Sequence, residues 1–446
     1  MRCTQSPPCH VGSPPEQRDE RTEPIESAMY ESSERHALIA RYDDIWLLGG
    51  LRTPFADYMG SLAQVSPTDL GIFAARALFQ RLDVPAREVA TVVAANVAQS
   101  SFDALYLPRQ LGLYSGVPLG VPALLVHRLC GSGFETILNA ADQIALGRAK
   151  LALCVGTESM SRNPVAAYSH RGGFKMGQVE FKDFLWEATL DTASNTRMGE
   201  TAENLARSYE ITRDEVDRFA ALSFERALMA WEAGFYQDEV ASVTSQQWPL
   251  EGYQSRGIAL PRKIERFDRD EHVRASPLEV LRKLRPAFGQ DGVQTGGNSS
   301  AIVDGAAAAL VASGEFVRAH GLKPLARVVA GAVVGVPPEV MGIGPAPAIR
   351  ALLRQAGLAR NDVARFEINE AFGAQYLAVE KELGLERERV NVNGGAIAIG
   401  HPLAASGVRL TVTAARALRQ AKGEFAIASA CAGGGQGVGI LLQHAV

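Results

Sequence analysis

From Asp44 onward, short unbroken apolar runs alternate with amphipathic stretches, and this rhythm predicts strands alternating with helices. Ile45–Gly50, Val89–Val97, Val121–Arg128 and Leu151–Val155 read as buried strands. Pro67–Leu82 reads as a helix opening on proline, and Gly131–Leu146 as a second helix. Strand, turn, helix and strand make a βαβ unit, which implies a parallel sheet. A similar plan returns later: a helix over about 402–420, then a strand over Glu424–Ala430. In both places a reactive residue follows a Gly-rich turn, so two halves of like fold are expected to meet at one site.

The flanks and the middle break this rhythm. The first 40 residues carry Pro7-Pro8, Pro14-Pro15 and Pro24 among Glu, Arg and Ser, so a disordered extension is expected there, with Met29 a possible start. It lacks the apolar core of a secretory signal. Residues 161–285 change character, with amphipathic helices near 199–209 and 212–233 and a charged stretch after them. Over 262–285 eight basic residues stand against five acidic, a local +3 in a chain of net charge −4. That is a candidate patch for a phosphorylated ligand. The expected organisation is an N-terminal half over 41–160 plus 286–316, an inserted loop domain over 161–285, and a C-terminal half over 317–446.

Composition narrows the function. The 446 residues are 47% hydrophobic and 21% charged, which fits a globular enzyme. The negative net charge argues against nucleic-acid binding, and the absence of a long apolar run argues against a membrane span. Five cysteines, at 3, 9, 130, 154 and 431, are too scattered for a disulfide framework or a zinc site, so free thiols in a reducing, cytoplasmic setting are expected.

Three residues carry candidate chemistry. Cys130 sits in Arg128-Leu129-Cys130-Gly131-Ser132-Gly133, where a helix dipole would favour the thiolate. His401 lies in Gly400-His401-Pro402, after a run that opens at Asn393-Gly394-Gly395, and is a candidate base or oxyanion donor. Cys431 begins Cys431-Ala432-Gly433-Gly434-Gly435, whose amides could face a developing oxyanion together with that of Cys130. Asn369, in Asn369-Glu370-Ala371-Phe372, could fix a water or simply cap a helix. Cys154 reads as a buried structural cysteine, and His36, His272 and His320 as capping or core residues.

Together these runs resemble the thiolase family over about residues 40–446. The motifs are the Cys130 turn, Gly156-Thr157-Glu158-Ser159-Met160-Ser161, Met198-Gly199 with Thr201-Ala202-Glu203-Asn204, Gly297-Asn298-Ser299-Ser300, Asn369–Phe372, Gly394–Gly407 and Cys431-Ala432-Gly433. The resemblance implies an α/β thiolase fold, two halves in a layered αβαβα arrangement with an inserted domain that binds coenzyme A. It implies ping-pong acyl transfer between acyl-CoA and CoA, with no permanently bound cofactor and a homodimer or homotetramer. Cys130 would carry the acyl group, His401 would take its proton, and Cys431 would exchange a proton with the α-carbon. Asn369 would hold a water beside the enolate oxygen, and the amides of Cys130 and Gly433 would form an oxyanion hole. Ser300 and Arg274 would contact CoA, while Met198, Phe288 and Phe372 would line the pocket. The Lys175-Met176-Gly177 turn resembles that of short-chain thiolases acting on acetoacetyl-CoA, with longer 3-oxoacyl-CoAs as the alternative.

Four positions depart from the family pattern: His127, Arg197, Ala301 and Ala404. None removes a reacting group, but Arg197 and Ala301 bear on substrate size and CoA affinity. A ketoacyl synthase would pair one cysteine with two histidines, or with a histidine and an asparagine, so Cys431 speaks against it. A non-catalytic acyl-CoA-binding protein of the same fold would bind without turnover.

Overall fold

The computed structural model describes residues 32–445 except 168, 169 and 178. Its main strands are β1 (Leu38–Arg41), β2 (Ile45–Arg52), β3 (Thr91–Ala95), β4 (Ala123–Leu125), β5 (Leu151–Glu158), β6 (Val303–Ser313), β7 (Ala326–Gly335), β8 (Val363–Ile368), β9 (Phe425–Ala432) and β10 (Gln436–His444). The helices that matter here are α1 (Pro67–Leu82), α2 (Leu107–Tyr114), α3 (Ser132–Ala145), α4 (Met198–Ser208), α5 (Arg213–Glu232), α6 (Pro345–Ala356), α7 (Gly373–Leu383) and α8 (Leu403–Ala421). The α1 boundaries match the expected ones because the local signals are strong. Ser66 caps the first turn by accepting from the Asp69 amide, proline follows it, and Asp83 ends the helix in the left-handed region.

The spatial order is β8-β9-β10-β7-β2-β6-β5-β3-β4. Within it, β3-β5-β6-β2 runs parallel, antiparallel, antiparallel, and β8-β9-β10-β7 repeats that pattern. The two halves therefore share one topology, and they join where Trp46 and Leu47 of β2 pair with Arg327 and Ala326 of β7. The sheet is mixed rather than purely parallel. Helical crossovers give the parallel pairs, but β10 follows β9 through a short hairpin and can only run back against it. That hairpin explains the glycine run: Gly434 and Gly435 of its three-residue loop both have positive φ, which glycine adopts without strain. The expected strand over Val121–Arg128 shrinks to Ala123–Leu125, because only three residues find a partner on β3.

Strands at the centre are covered on both faces. Leu151, Leu153 and Val155 of β5 face the core under α1, while Ala152 and Cys154 face the middle layer. That layer consists of α3 and α8, which pack on each other, and α8 touches strands of both halves. With α1 and α2 outside one half and α6 outside the other, the order of layers is αβαβα. The two central helices cross backbone to backbone. A Cβ on Gly133 would lie 2.5 Å from the Ala404 carbonyl oxygen, and one on Gly407 would lie 2.3 Å from the Phe134 amide nitrogen. Glycine at both positions sets how closely the two helix starts approach. Gly407→Ala is expected to cost about 1–3 kcal/mol by overpacking. A lowered midpoint in a thermal melt checks this, and an unchanged melt would show that the crossing has slack.

The chain from 159 to 302 forms the insertion between β5 and β6. Its helix α5 starts at a capping box between Thr212 and Glu215 and docks on the C-terminal half, stacking Phe219 on Tyr376 at 4.1 Å. The insertion is also tied to β2: the fully buried Arg52 bonds Glu239 at 2.7 Å and Asp270 at 2.6 and 2.9 Å.

One expectation is corrected at the N-terminus. Most of the proposed extension lies outside the described residues, but Leu38–Arg41 is not disordered; it forms β1, paired antiparallel with β7. Four residues with exposed Leu38 and Ile39 give no apolar pattern of their own, and the strand exists because the edge of β7 offers a ladder. No described helix is long and apolar enough to cross a membrane.

Candidate active site

Cys130 stands at the apex of a tight turn between β4 and α3. The Gly131 amide donates to the Arg128 carbonyl at 2.9 Å, the Ser132 amide to Leu129, and Ser132 Oγ accepts from the Arg128 amide at 2.8 Å. Leu129 has φ 47, a left-handed conformation that a branched side chain seldom adopts. This strained residue turns the next side chain, Cys130, out of the turn. The strain was not legible from residue type.

The thiol itself behaves differently from the expectation. Helix α3 begins at Ser132, beyond Cys130, and burial dominates over the amides that point at the sulfur, pushing the thiol up to about 11. Those amides are its own and that of Gly433. Cys130 is therefore a neutral thiol at rest and needs a base.

Gly433 begins the hairpin after β9, and a Cβ there would lie 3.0 Å from Leu129 and 3.3 Å from Met198 Sδ. Cys431, two residues earlier, is fully buried against Met341 and Ala371, with Met198 and Phe372 packed on the same cluster. Burial, then the nearby Cys130, raise its thiol well above the usual cysteine range. The two thiols are free, and Cys130 is among the groups that raise Cys431.

His401 is nearly buried just before α8. Its amide donates to the Ala301 carbonyl at 3.0 Å, and its Nδ1 lies 2.6 Å from Ser406 Oγ, which lies 3.4 Å from the Pro402 carbonyl. The chain Nδ1–H to Ser406 to Pro402 assigns the proton to Nδ1 and leaves Nε2 as an acceptor. Asn369 Nδ2 lies 3.4 Å from that Nε2. Burial, reinforced by the positive charge of Arg409, pushes the imidazole down to about 3, so it is neutral at rest. A neutral imidazole can accept a thiol proton. Ser406 sits in the quoted Gly394–Gly407 run but carried no role from sequence, because only the fold shows that its hydroxyl meets the ring. Ser406→Ala is expected to lower kcat by about 10- to 100-fold, since a buried ring N–H loses its partner. Parental kcat in this variant would remove Ser406 from the tautomer argument.

Asn369 directly follows β8 and does not cap α7, whose cap position is Phe372. Its Oδ1 is buried and has no protein partner, leaving one acceptor open beside His401. Glu370 beside it is structural: it accepts from Ser223 of α5, from Asn391 and from the Ile397 amide.

Of the expected binding residues, four gather here. The Ser300 amide bonds the Ala371 carbonyl at 3.0 Å, Phe288 and Phe372 meet edge to face at 6.0 Å, and Met198 packs by Cys431. Arg274 stands apart, exposed, with its guanidinium over Phe224 and beside His272. Of the basic stretch, Arg282, Lys283 and Arg285 are exposed, and Leu284 between them packs under Gly297, close to Ser300. Met176 of the Lys175-Met176-Gly177 turn is fully exposed, so it does not wall a buried pocket. Cys154 is fully buried in β5, as expected of a structural cysteine.

Two family models cover nearly all of the described chain: the thiolase N-terminal domain over 45–315 and the thiolase C-terminal domain over 322–444. The chain belongs to the thiolase family. It is 43% identical to the human mitochondrial 3-ketoacyl-CoA thiolase over 401 residues, covering 90% of this chain and 98% of that one. It is 39% identical to an acetyl-CoA acetyltransferase of Pseudomonas aeruginosa over 403 residues, covering 90% and 99%. A crystal structure of the human mitochondrial 3-ketoacyl-CoA thiolase in complex with CoA matches with TM-score 0.84 at 42% identity, covering 90% of this chain and 98% of that chain. This thiolase is an acyltransferase that uses coenzyme A as substrate.

Proposed function

We propose that this thiolase cleaves 3-oxoacyl-CoA with CoA, and runs the reverse condensation of acetyl-CoA, through an acyl group on Cys130. The observation that carries the reading is the pairing of two neutral thiols, one of them met by the Gly433 amide, with a neutral imidazole whose Nε2 is an acceptor. In cleavage, the Cys130 sulfur bonds to the 3-keto carbon while His401 Nε2 takes the thiol proton. The C2–C3 bond breaks, the acyl group stays on Cys130, and the Cys431 thiol protonates C2 of the departing acetyl-CoA. CoA then attacks the acyl-cysteine, its proton passing to the Cys431 thiolate, and Cys130 regains its proton from His401. The amides of Cys130 and Gly433 are suited to the tetrahedral oxyanion, and Asn369 Oδ1 to a water beside the enolate. Ser300 and the exposed Arg282, Lys283 and Arg285 fit the CoA side of the cleft.

Acetoacetyl-CoA is the proposed preferred substrate. The apolar cluster of Met198, Met341 and Phe372 around Cys431, with Phe288 edge-on to Phe372, supports a short chain by its bulk. The likeness to the human mitochondrial 3-ketoacyl-CoA thiolase favours a second reading, cleavage of longer chains. Chromatography of acetoacetyl-CoA and its longer homologues incubated with CoA decides between them. Acetyl-CoA should form, with kcat/KM highest at the shortest chain; no cleavage at any length would sink the enzymatic reading.

We further infer a homo-oligomer assembled on β4. Among the described residues this edge strand pairs only with β3, and Leu124 on it and Phe102, Leu105, Tyr106 and Leu119 near it are exposed. A monomer by light scattering would count against it. Working thiols at Cys130 and Cys431 support a reducing compartment such as the cytoplasm.

A further inference from the structure

Glu158, the last residue of β5, is fully buried and touches both halves of the molecule. Its Oε1 accepts from Asn96 Nδ2 and from the Ala98 amide, each at 2.9 Å. Its Oε2 accepts from the Val97 amide at 3.1 Å and from the Ala404 amide at 3.2 Å. The first three donors lie just after β3, in the half that carries Cys130. The fourth is in the first turn of α8, directly after His401. All four partners are donors, so a protonated carboxyl would have no acceptor for its hydrogen, and an amide in its place would set an NH2 group against two N–H groups.

The backbone around Glu158 leaves little room for adjustment. A Cβ on Gly156 would lie 2.0 Å from the Ala404 carbonyl oxygen, so β5 runs directly beneath the start of α8. A carboxylate there also meets the positive end of the α8 dipole. The nucleophile and the base approach from different halves, and among the described residues this side chain hydrogen-bonds both the loop after β3 and the turn after His401.

We propose that Glu158 is a positioning residue whose carboxyl group clamps the start of α8 to the β3 loop and thereby fixes His401 relative to Cys130. Burial pushes this carboxyl up to about 7, while the Ala98, Val97 and Ala404 amides act against burial by favouring the carboxylate. Asp304 is the charged group that in turn acts on Glu158, and the amides and Asn96 complete its surroundings.

The inference rests on the proposed role of Cys130, and its test has an arm that does not. Glu158→Gln keeps the volume and removes the charge. At a fixed pH, iodoacetamide alkylation of Cys130 and of buried Cys154, followed by peptide mass mapping, should stay within about threefold of the parental rate in Glu158→Gln, because the turn that carries Cys130 is held by Arg128, Leu129 and Ser132 and not by Glu158. Equal acceleration of both would mean general loosening and overturn the positioning role. In steady state, kcat should fall about 100-fold with KM for CoA within about threefold, the cost of a misplaced base. Glu158→Asp retains the charge at shorter reach, so its Cys130 alkylation should stay parental while kcat falls at least about fivefold; it carries the test if Glu158→Gln does not fold. Parental kcat in a folded Glu158→Gln, or in Glu158→Asp, would overturn the proposal. A parent enzyme that forms no acyl adduct would instead refute the role of Cys130, leaving the alkylation arm readable.

Discussion

Cys130→Ala is expected to abolish acyl transfer, lowering kcat by at least about 10⁴-fold, because removing a covalent nucleophile leaves only binding and oxyanion contacts to act. Among the described residues no other thiol can take over. Cys154 is fully buried in β5 with its sulfur on the Thr136 carbonyl, and Cys431 sits in the apolar cluster of Met341 and Ala371. The turn should survive the change, since its geometry rests on Arg128, Leu129 and Ser132 and not on the cysteine sulfur. Intact-protein mass spectrometry after incubation with acetyl-CoA should show one acyl adduct on the parent and none on the variant. An adduct that persists in Cys130→Ala would assign the acyl group to another residue.

Cys431→Ala separates the two chemical steps. Its thiol is far from the charge-bearing form at rest, which suits a proton donor to the α-carbon and makes it a poor first nucleophile. Losing a general acid and base typically costs about 10²–10⁴-fold, so carbon–carbon cleavage should fall by that factor. The acyl adduct on Cys130 should still form from acetyl-CoA, because His401, Ser406 and the Gly433 amide are untouched. Removing one buried sulfur leaves a small cavity beside Met341, and a melt of the variant checks that the fold holds. If the adduct is lost as well, the division of labour between the two cysteines is wrong.

Much of this was legible in the chain, and the legible parts share a physical cause. Pro67–Leu82 was readable because Ser66, Pro67 and the helical spacing act within a few residues of one another. The recurrence of a reactive residue, a helix and a strand was readable too. The structure shows its basis in the matching strand patterns of the two halves, with Cys130 before α3 and His401 before α8. Where the reading failed, the deciding force came from elsewhere in the chain. β1 depends on the edge of β7, and the sheet is mixed because the β9–β10 hairpin is too short for a crossover.

Protonation states were the least legible feature. From sequence, a helix dipole predicts a Cys130 thiolate; in the fold, burial holds the thiol up, and the same burial keeps His401 neutral. Residue types and spacing determined the family, the three reacting groups and the rough layout of helices and strands, because these follow from local patterns. Only the tertiary structure decided which backbone amides face Cys130, which hydroxyl holds His401, and how Glu158 bridges the halves. Those contacts join residues up to 246 positions apart, and the dielectric around them is set by everything packed between.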